Sequence, residues 1–135
     1  MTKIKQYIIL FGIIGIFSIS CEREKIETDP AKTILGKWEI VEMGNWPDLD
    51  PIARPTGCVE YLHDSLLREY DYETGRYFYK KYKIDTLLYE YIPRVDGFYL
   101  TIQYKYQFFD NNRRLRLDYK DIAAIYNTFI FKRID

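Results

Sequence analysis

The chain has 135 residues, and its 20 Lys and Arg cancel its 20 Asp and Glu, which excludes a strongly basic polyanion binder and bounds the fold to one domain. Charged residues at 30% and hydrophobic ones at 47%, with only seven Gly and five Pro, exclude disorder, collagen and coiled coil. Aromatics reach 18%, and the 14 Tyr among them point to a tyrosine-faced β protein.

Lys3 and Lys5 precede an unbroken run of apolar residues and Gly from Tyr7 to Phe17. That run has the length of a leader's hydrophobic region and is too short to span a bilayer comfortably. Ser18-Ile19-Ser20-Cys21 closes it. Small residues before a Cys at that place resemble the lipobox of bacterial lipoproteins, with Ser18 standing where that family usually has Leu. The resemblance implies a lipoprotein signal peptide over residues 1–20, cleaved before Cys21. It also implies diacylation of the Cys21 thiol with palmitate-type chains, and often acylation of the new amine. An ordinary secretory leader, or an N-terminal anchor with Cys21 incidental, is the alternative. Acyl chains contribute about 0.8 kcal/mol per buried methylene, so two or three of them hold a protein on a membrane.

The expected address is therefore the cell envelope, lipid-anchored to the outer membrane, on either its periplasmic or its surface face. Residues 21–33 read as the lipidated Cys and a polar, flexible tether. Its charged cluster after Cys21 resembles the export signals of surface lipoproteins in Bacteroidetes-type bacteria. With Cys21 lipidated, Cys58 has no partner in the chain. It is expected as an unpaired strand residue, with a reactive thiol or an intermolecular disulfide as the alternative. A Cys21–Cys58 disulfide requires that Cys21 carry no lipid.

Downstream the governing pattern has period two. Strands are expected over Lys37–Met43, Cys58–His63, Leu66–Tyr72, Arg76–Ile84 and Thr86–Ile92. In the next, Phe98, Leu100, Ile102, Tyr104, Tyr106 and Phe108 share one face against Thr101, Gln103, Lys105 and Gln107. Asp110-Asn111-Asn112 turns the chain into Arg114–Tyr119, and Ala124–Ile134 completes the set. Asp121–Ala124 allows a brief helical turn. An eight-stranded antiparallel meander leaves two edges unless it closes, so an all-β up-and-down barrel is expected, with an open sandwich as the alternative.

Gly36-Lys37-Trp38 at the first strand, after Ile34-Leu35, and Arg133 near the end of the last resemble the Gly-x-Trp opening and terminal Arg of lipocalins. The whole layout is similar to small lipocalin-like lipoproteins of Bacteroidetes-type bacteria, with residues 34–135 as the barrel domain. The resemblance implies that Trp38 plugs the closed end, that Arg133 packs across its ring, and that the first loop crosses the open mouth. That loop, Gly44–Gly57, carries three prolines, and Trp46 and Arg54 offer a ring and a cation to a ligand or partner. Tyr61, Tyr82, Tyr104 and Tyr106, on inward faces, complete the candidate ligand-binding set.

Other chemistry is poorly supplied. Asp48 and Asp50 fall short of the oxygen ligands Ca²⁺ needs. His63, Asp64 and Ser65 are consecutive in a turn and cannot converge as a triad. One His and one available Cys do not make a zinc site. Tyr interleaved with Lys80, Lys81 and Lys83 suits strand packing or a glycan-contacting rim more than nucleic acid. The expectation is a non-enzymatic protein without metal or cofactor that binds a small apolar or amphipathic molecule at the barrel mouth. The alternative is an interaction module or accessory subunit of an envelope complex, its barrel filled.

Overall fold

A computed structural model of the chain describes residues 25–120 and 123–135. One short helix, α1 (Pro30–Thr33), precedes nine strands: β1 (Gly36–Asn45), β2 (Asp48–Pro51), β3 (Gly57–Tyr61), β4 (Leu66–Asp71), β5 (Tyr77–Ile84), β6 (Leu88–Pro93), β7 (Tyr99–Phe109), β8 (Arg114–Tyr119) and β9 (Thr128–Arg133). β1 and β3 to β9 form a closed eight-stranded antiparallel barrel in up-and-down order. β9 returns to β1, with Trp38 opposite Arg133 and Gly44 opposite Thr128. Closure pairs the edges that an open meander would leave bare.

β1 serves three neighbours. Its start pairs with β3, Gly36 opposite Tyr61 and Trp38 opposite Val59, while its end pairs with β2, Glu42 opposite Pro51 and Asn45 opposite Asp48. A register shift between Ile40 and Glu42 bends the β9 side. The expected 44–57 loop therefore contains a strand. Where β3 leaves β1, the backbone groups of β1 need partners, and Asp48–Pro51 supplies them.

The end at which β1 begins is sealed. The Asp29 side chain caps α1 by accepting from the Ala31 amide at 3.0 Å, and Pro30 occupies the first turn, where its missing N–H costs nothing. Thr33 and Ile34 behind it are buried, and the Trp38 indole donates to the Ile34 carbonyl at 2.7 Å. Arg133 lies 4.3 Å from the Trp38 ring centroid and donates to the Leu35 and Thr33 carbonyls, each at 2.6 Å. Thus part of the stretch expected as tether is a plug. Gly36 has φ +110°, and a Cβ there would lie 2.3 Å from the Asp135 carboxylate and 2.8 Å from the Arg133 guanidinium. The clamp leaves room only for glycine.

Trp38, Leu67, Leu88 and Leu115 are wholly buried above this plug, with Val59, Ile84, Ile102, Tyr106, Phe108 and Phe131 packed against them. At the β7–β8 turn Asp110, Asn111 and Asn112 all take left-handed φ of 52°, 53° and 61°, which Asp and Asn tolerate better than other side chains. The helical turn expected over Asp121–Ala124 includes residues 121–122, which lie outside the described residues. So do Cys21 and the residues expected as its leader.

Candidate ligand cavity

The strands begin or end at the opposite, open mouth in the order β1 end, β3 start, β4 end and β5 start, and these four, with Phe131 of β9, shape a cavity of about 350 Å³. Alternation fixes which side chains enter it. Val59, opposite both Trp38 and Glu69, points inward, and Glu69 in turn faces Phe78 across the β4–β5 pair. Trp38, Ile40, Val59 and Phe131 form the deep apolar wall, and Glu69, Asp71 and Phe78 lie toward the mouth. Phe78 has an inward register yet is 54% exposed, so an apolar ring rims the opening.

Beside the cavity runs a chain of polar groups. The Lys80 ammonium is paired with the Glu69 carboxylate and stands 4.0 Å from that of Glu90. Glu90 is buried and accepts a hydrogen bond from the Tyr61 hydroxyl at 2.9 Å. Burial pushes the Glu90 carboxyl above its ordinary range, partly offset by Lys80 and by the Tyr61 hydrogen bond. Burial and the Glu90 charge together drive the Tyr61 and Tyr104 phenols well up, so both remain protonated donors. Asp71 is held low by the amides of Thr74 and Glu73, which bind its carboxylate in the β4–β5 turn.

The sequence-derived candidates lie elsewhere than this cavity wall. Tyr61 and Tyr82 pack edge-on with centroids 5.0 Å apart in the core, and the Tyr82 hydroxyl donates to the Leu62 carbonyl at 2.8 Å. Tyr104 is buried and stacks on Tyr119 at 5.0 Å, while Tyr106 donates to the Asp85 carbonyl at the sealed end. Trp46, 57% exposed, lies on the barrel's outer wall with the Arg116 guanidinium 3.9 Å from its ring centroid. Asp118 sits 2.8 Å from Arg116 Nε and accepts from the Thr128 hydroxyl at 2.6 Å, which fixes that platform. Arg54 is exposed in the link from β2 to β3. Of the closure residues, Gly36, Trp38 and Arg133 meet in one cluster at the plug.

Sequence reasoning missed Glu69, Phe78 and Glu90, and weighed Lys80 only as one of the lysines interleaved with Tyr. Their signal was available in part. Lys80 and Glu90 break the apolar alternation of β5 and β6 at positions that share a face with Tyr82 and Leu88.

A second depression, about 340 Å³, lies on the outside of β3 to β5 among Lys37, Cys58, Glu60, Arg68, Tyr70, Tyr72, Tyr77 and Ile134. Tyr72, Tyr70, Tyr77 and Tyr79 form a row with successive centroids 5.8, 4.8 and 6.4 Å apart. Arg68 lies 5.0 Å from the Tyr77 centroid and pairs with Glu60 at 2.6 Å. Cys58 carries a free, half-buried thiol there, and Tyr72 donates to Glu39 at 2.6 Å, which raises its pKa. His63, Asp64 and Ser65 form the exposed β3–β4 turn. Among the described residues no three His, Cys, Asp or Glu side chains are gathered as a metal site.

The chain matches no family model and none of the curated proteins.

Proposed function

We propose that this is a non-enzymatic, lipid-anchored envelope protein of the lipocalin-like kind, which captures a small apolar or amphipathic molecule in the barrel. The observation that carries the reading is the cavity of about 350 Å³, with Trp38, Ile40, Val59 and Phe131 at depth and an apolar rim at Phe78. Its volume falls within the roughly 300–1,000 Å³ of small-molecule sites, at the small end. Apolar burial supplies affinity, about 0.8 kcal/mol for each methylene removed from water. The polar chain at Glu69 and Lys80 sets which end of the ligand enters.

The anchor and the cavity fit one arrangement. Glu27 accepts from the Asn112 side chain at 2.7 Å, so the chain enters the fold beneath the sealed end. Cys21 is four residues from Lys25, a reach of at most about 14 Å. Lipid on Cys21 then sets the plug toward the membrane and the mouth toward water.

N-phenyl-1-naphthylamine brightens in apolar cavities, and its titration gives the direct experiment. Saturable one-to-one binding is expected, reduced at least tenfold in Val59→Phe, which fills the cavity, provided that variant melts cooperatively. Binding that is absent, or indifferent to Val59→Phe, rejects the reading.

A second reading is an interaction module. It is favoured by the outer tyrosine row, in which Tyr72, Tyr77 and Tyr79 are 43, 48 and 52% exposed. A partner that protects Cys58 from alkylation, with no ligand in the barrel, is its signature.

A further inference from the structure

The barrel interior holds more charge than its folding needs. Lys80 lies between two carboxylates, paired with Glu69 and 4.0 Å from Glu90. Among the described residues the Glu90 carboxylate receives one hydrogen bond, from Tyr61, and the side chain is buried. Buried ionic groups of this sort are often replaceable by apolar ones without loss of stability. One cation thus serves two acids.

The cavity wall repeats the imbalance. Among the described residues its charged lining side chains are Glu69 and Asp71, and no basic side chain lines it. Glu69 retains 42% side-chain exposure and so has a side open to a ligand, whereas Lys80 is 17% exposed and lies behind it. Phe78 and Phe131 supply ring surfaces on the same wall, and aromatic faces attract cations.

We propose that the molecule held in this cavity is a cationic amphiphile, an alkyl chain or ring system ending in an ammonium group, with the ammonium seated at Glu69. The proposal rests on the cavity reading and adds the charge of the ligand. The apolar part fills the space between Ile40, Val59 and Phe131. The arriving cation shares Glu69, which lets Lys80 turn toward Glu90, and the interior then holds two cations for two carboxylates. A fatty acid meets the reverse situation: its carboxylate faces Glu69 and Asp71, while the nearest cation is already engaged.

Isothermal titration of the purified protein with decyltrimethylammonium, decanol and decanoate, each below its micelle concentration and at low salt, separates the possibilities. The cation is expected to bind at least tenfold tighter than the decanoate. In Glu69→Gln that preference collapses while decanol binds as before, and in Lys80→Gln the preference widens, because a competing cation is gone. Equal affinities, a preference for decanoate, or a cation preference that survives Glu69→Gln overturns the inference and leaves the cavity reading standing. If none of the three binds, both fall together.

Discussion

Replacing Arg133 with Met removes the clamp on the sealed end but keeps most of the side chain's apolar stem. Two hydrogen bonds from the guanidinium to the Thr33 and Leu35 carbonyls, each 2.6 Å, disappear, as does the contact with the Trp38 ring at 4.3 Å. Hydrogen bonds from a charged donor contribute roughly 1.5–3 kcal/mol each, and a cation–π contact about 0.5–2 kcal/mol. The Arg133 side chain is 25% exposed, so the lower ends of those ranges apply, giving a loss of about 3.5 kcal/mol. At this size each kcal/mol moves the melting temperature by about 4 °C or more, so a drop of about 14 °C is expected in thermal melts followed by far-UV circular dichroism. Arg133→Lys keeps the charge but not the fork and falls between the two. A urea-derived loss below about 1 kcal/mol for Arg133→Met, with the slope of the transition unchanged, refutes the clamp.

Three further outcomes follow from the interior and the mouth. Burial raises the Glu90 carboxyl, so the folded state binds its proton more tightly than the unfolded chain does, and the stability this brings is present below the ordinary carboxylate range and is lost as pH rises through the folded value. Glu90→Gln, which cannot charge, should therefore gain relative to the native protein between acid and neutral pH in denaturant titrations; a pH-independent difference contradicts the burial cost. Gly57→Ala places a Cβ 2.3 Å from the Tyr70 carbonyl oxygen and should cost about 1–3 kcal/mol as β3 and β4 separate at the mouth; a neutral result means the strands give way freely. With the lipid anchor proposed at Cys21 in place and Cys58→Ser, a fluorophore on Arg113→Cys should be quenched by spin-labelled lipid head groups more than one on Asp96→Cys, because the β7–β8 turn lies at the sealed end and the β6–β7 turn at the mouth. The opposite ranking reverses the proposed orientation.

The barrel was legible because alternation is a local signal. β7 and β8 are written in Phe98–Phe108 and Leu115–Tyr119, and the closure was carried by Gly36, Trp38 and Arg133. Gly36 has a specific physical cause, since the Arg133 and Asp135 side chains occupy the place of its Cβ. Two features were not legible. The pairing of Asp48–Pro51 with β1 depends on where β3 leaves β1, which no local pattern records. α1 is only four residues long, and its stability comes from Arg133, a hundred positions away, rather than from its own propensity.

The candidate cavity wall was harder still to read than the fold. A large inward Tyr signals burial but not whether space remains beside it. Tyr61, Tyr82 and Tyr104 fill the core, whereas the space is left beside Val59, whose side chain is small. Trp46 also looked like a ligand platform from its loop position, but its ring stacks on Arg116, whose place on the outer wall is set by β8 alternation.

Native mass spectrometry of the protein drawn from its own cells, beside Val59→Phe prepared in the same way, measures the central claim most directly. A one-to-one small-molecule adduct on the native protein, depleted in the variant, is the result expected here. Bare polypeptide in both samples, with a co-purifying protein on the tyrosine face, contradicts it.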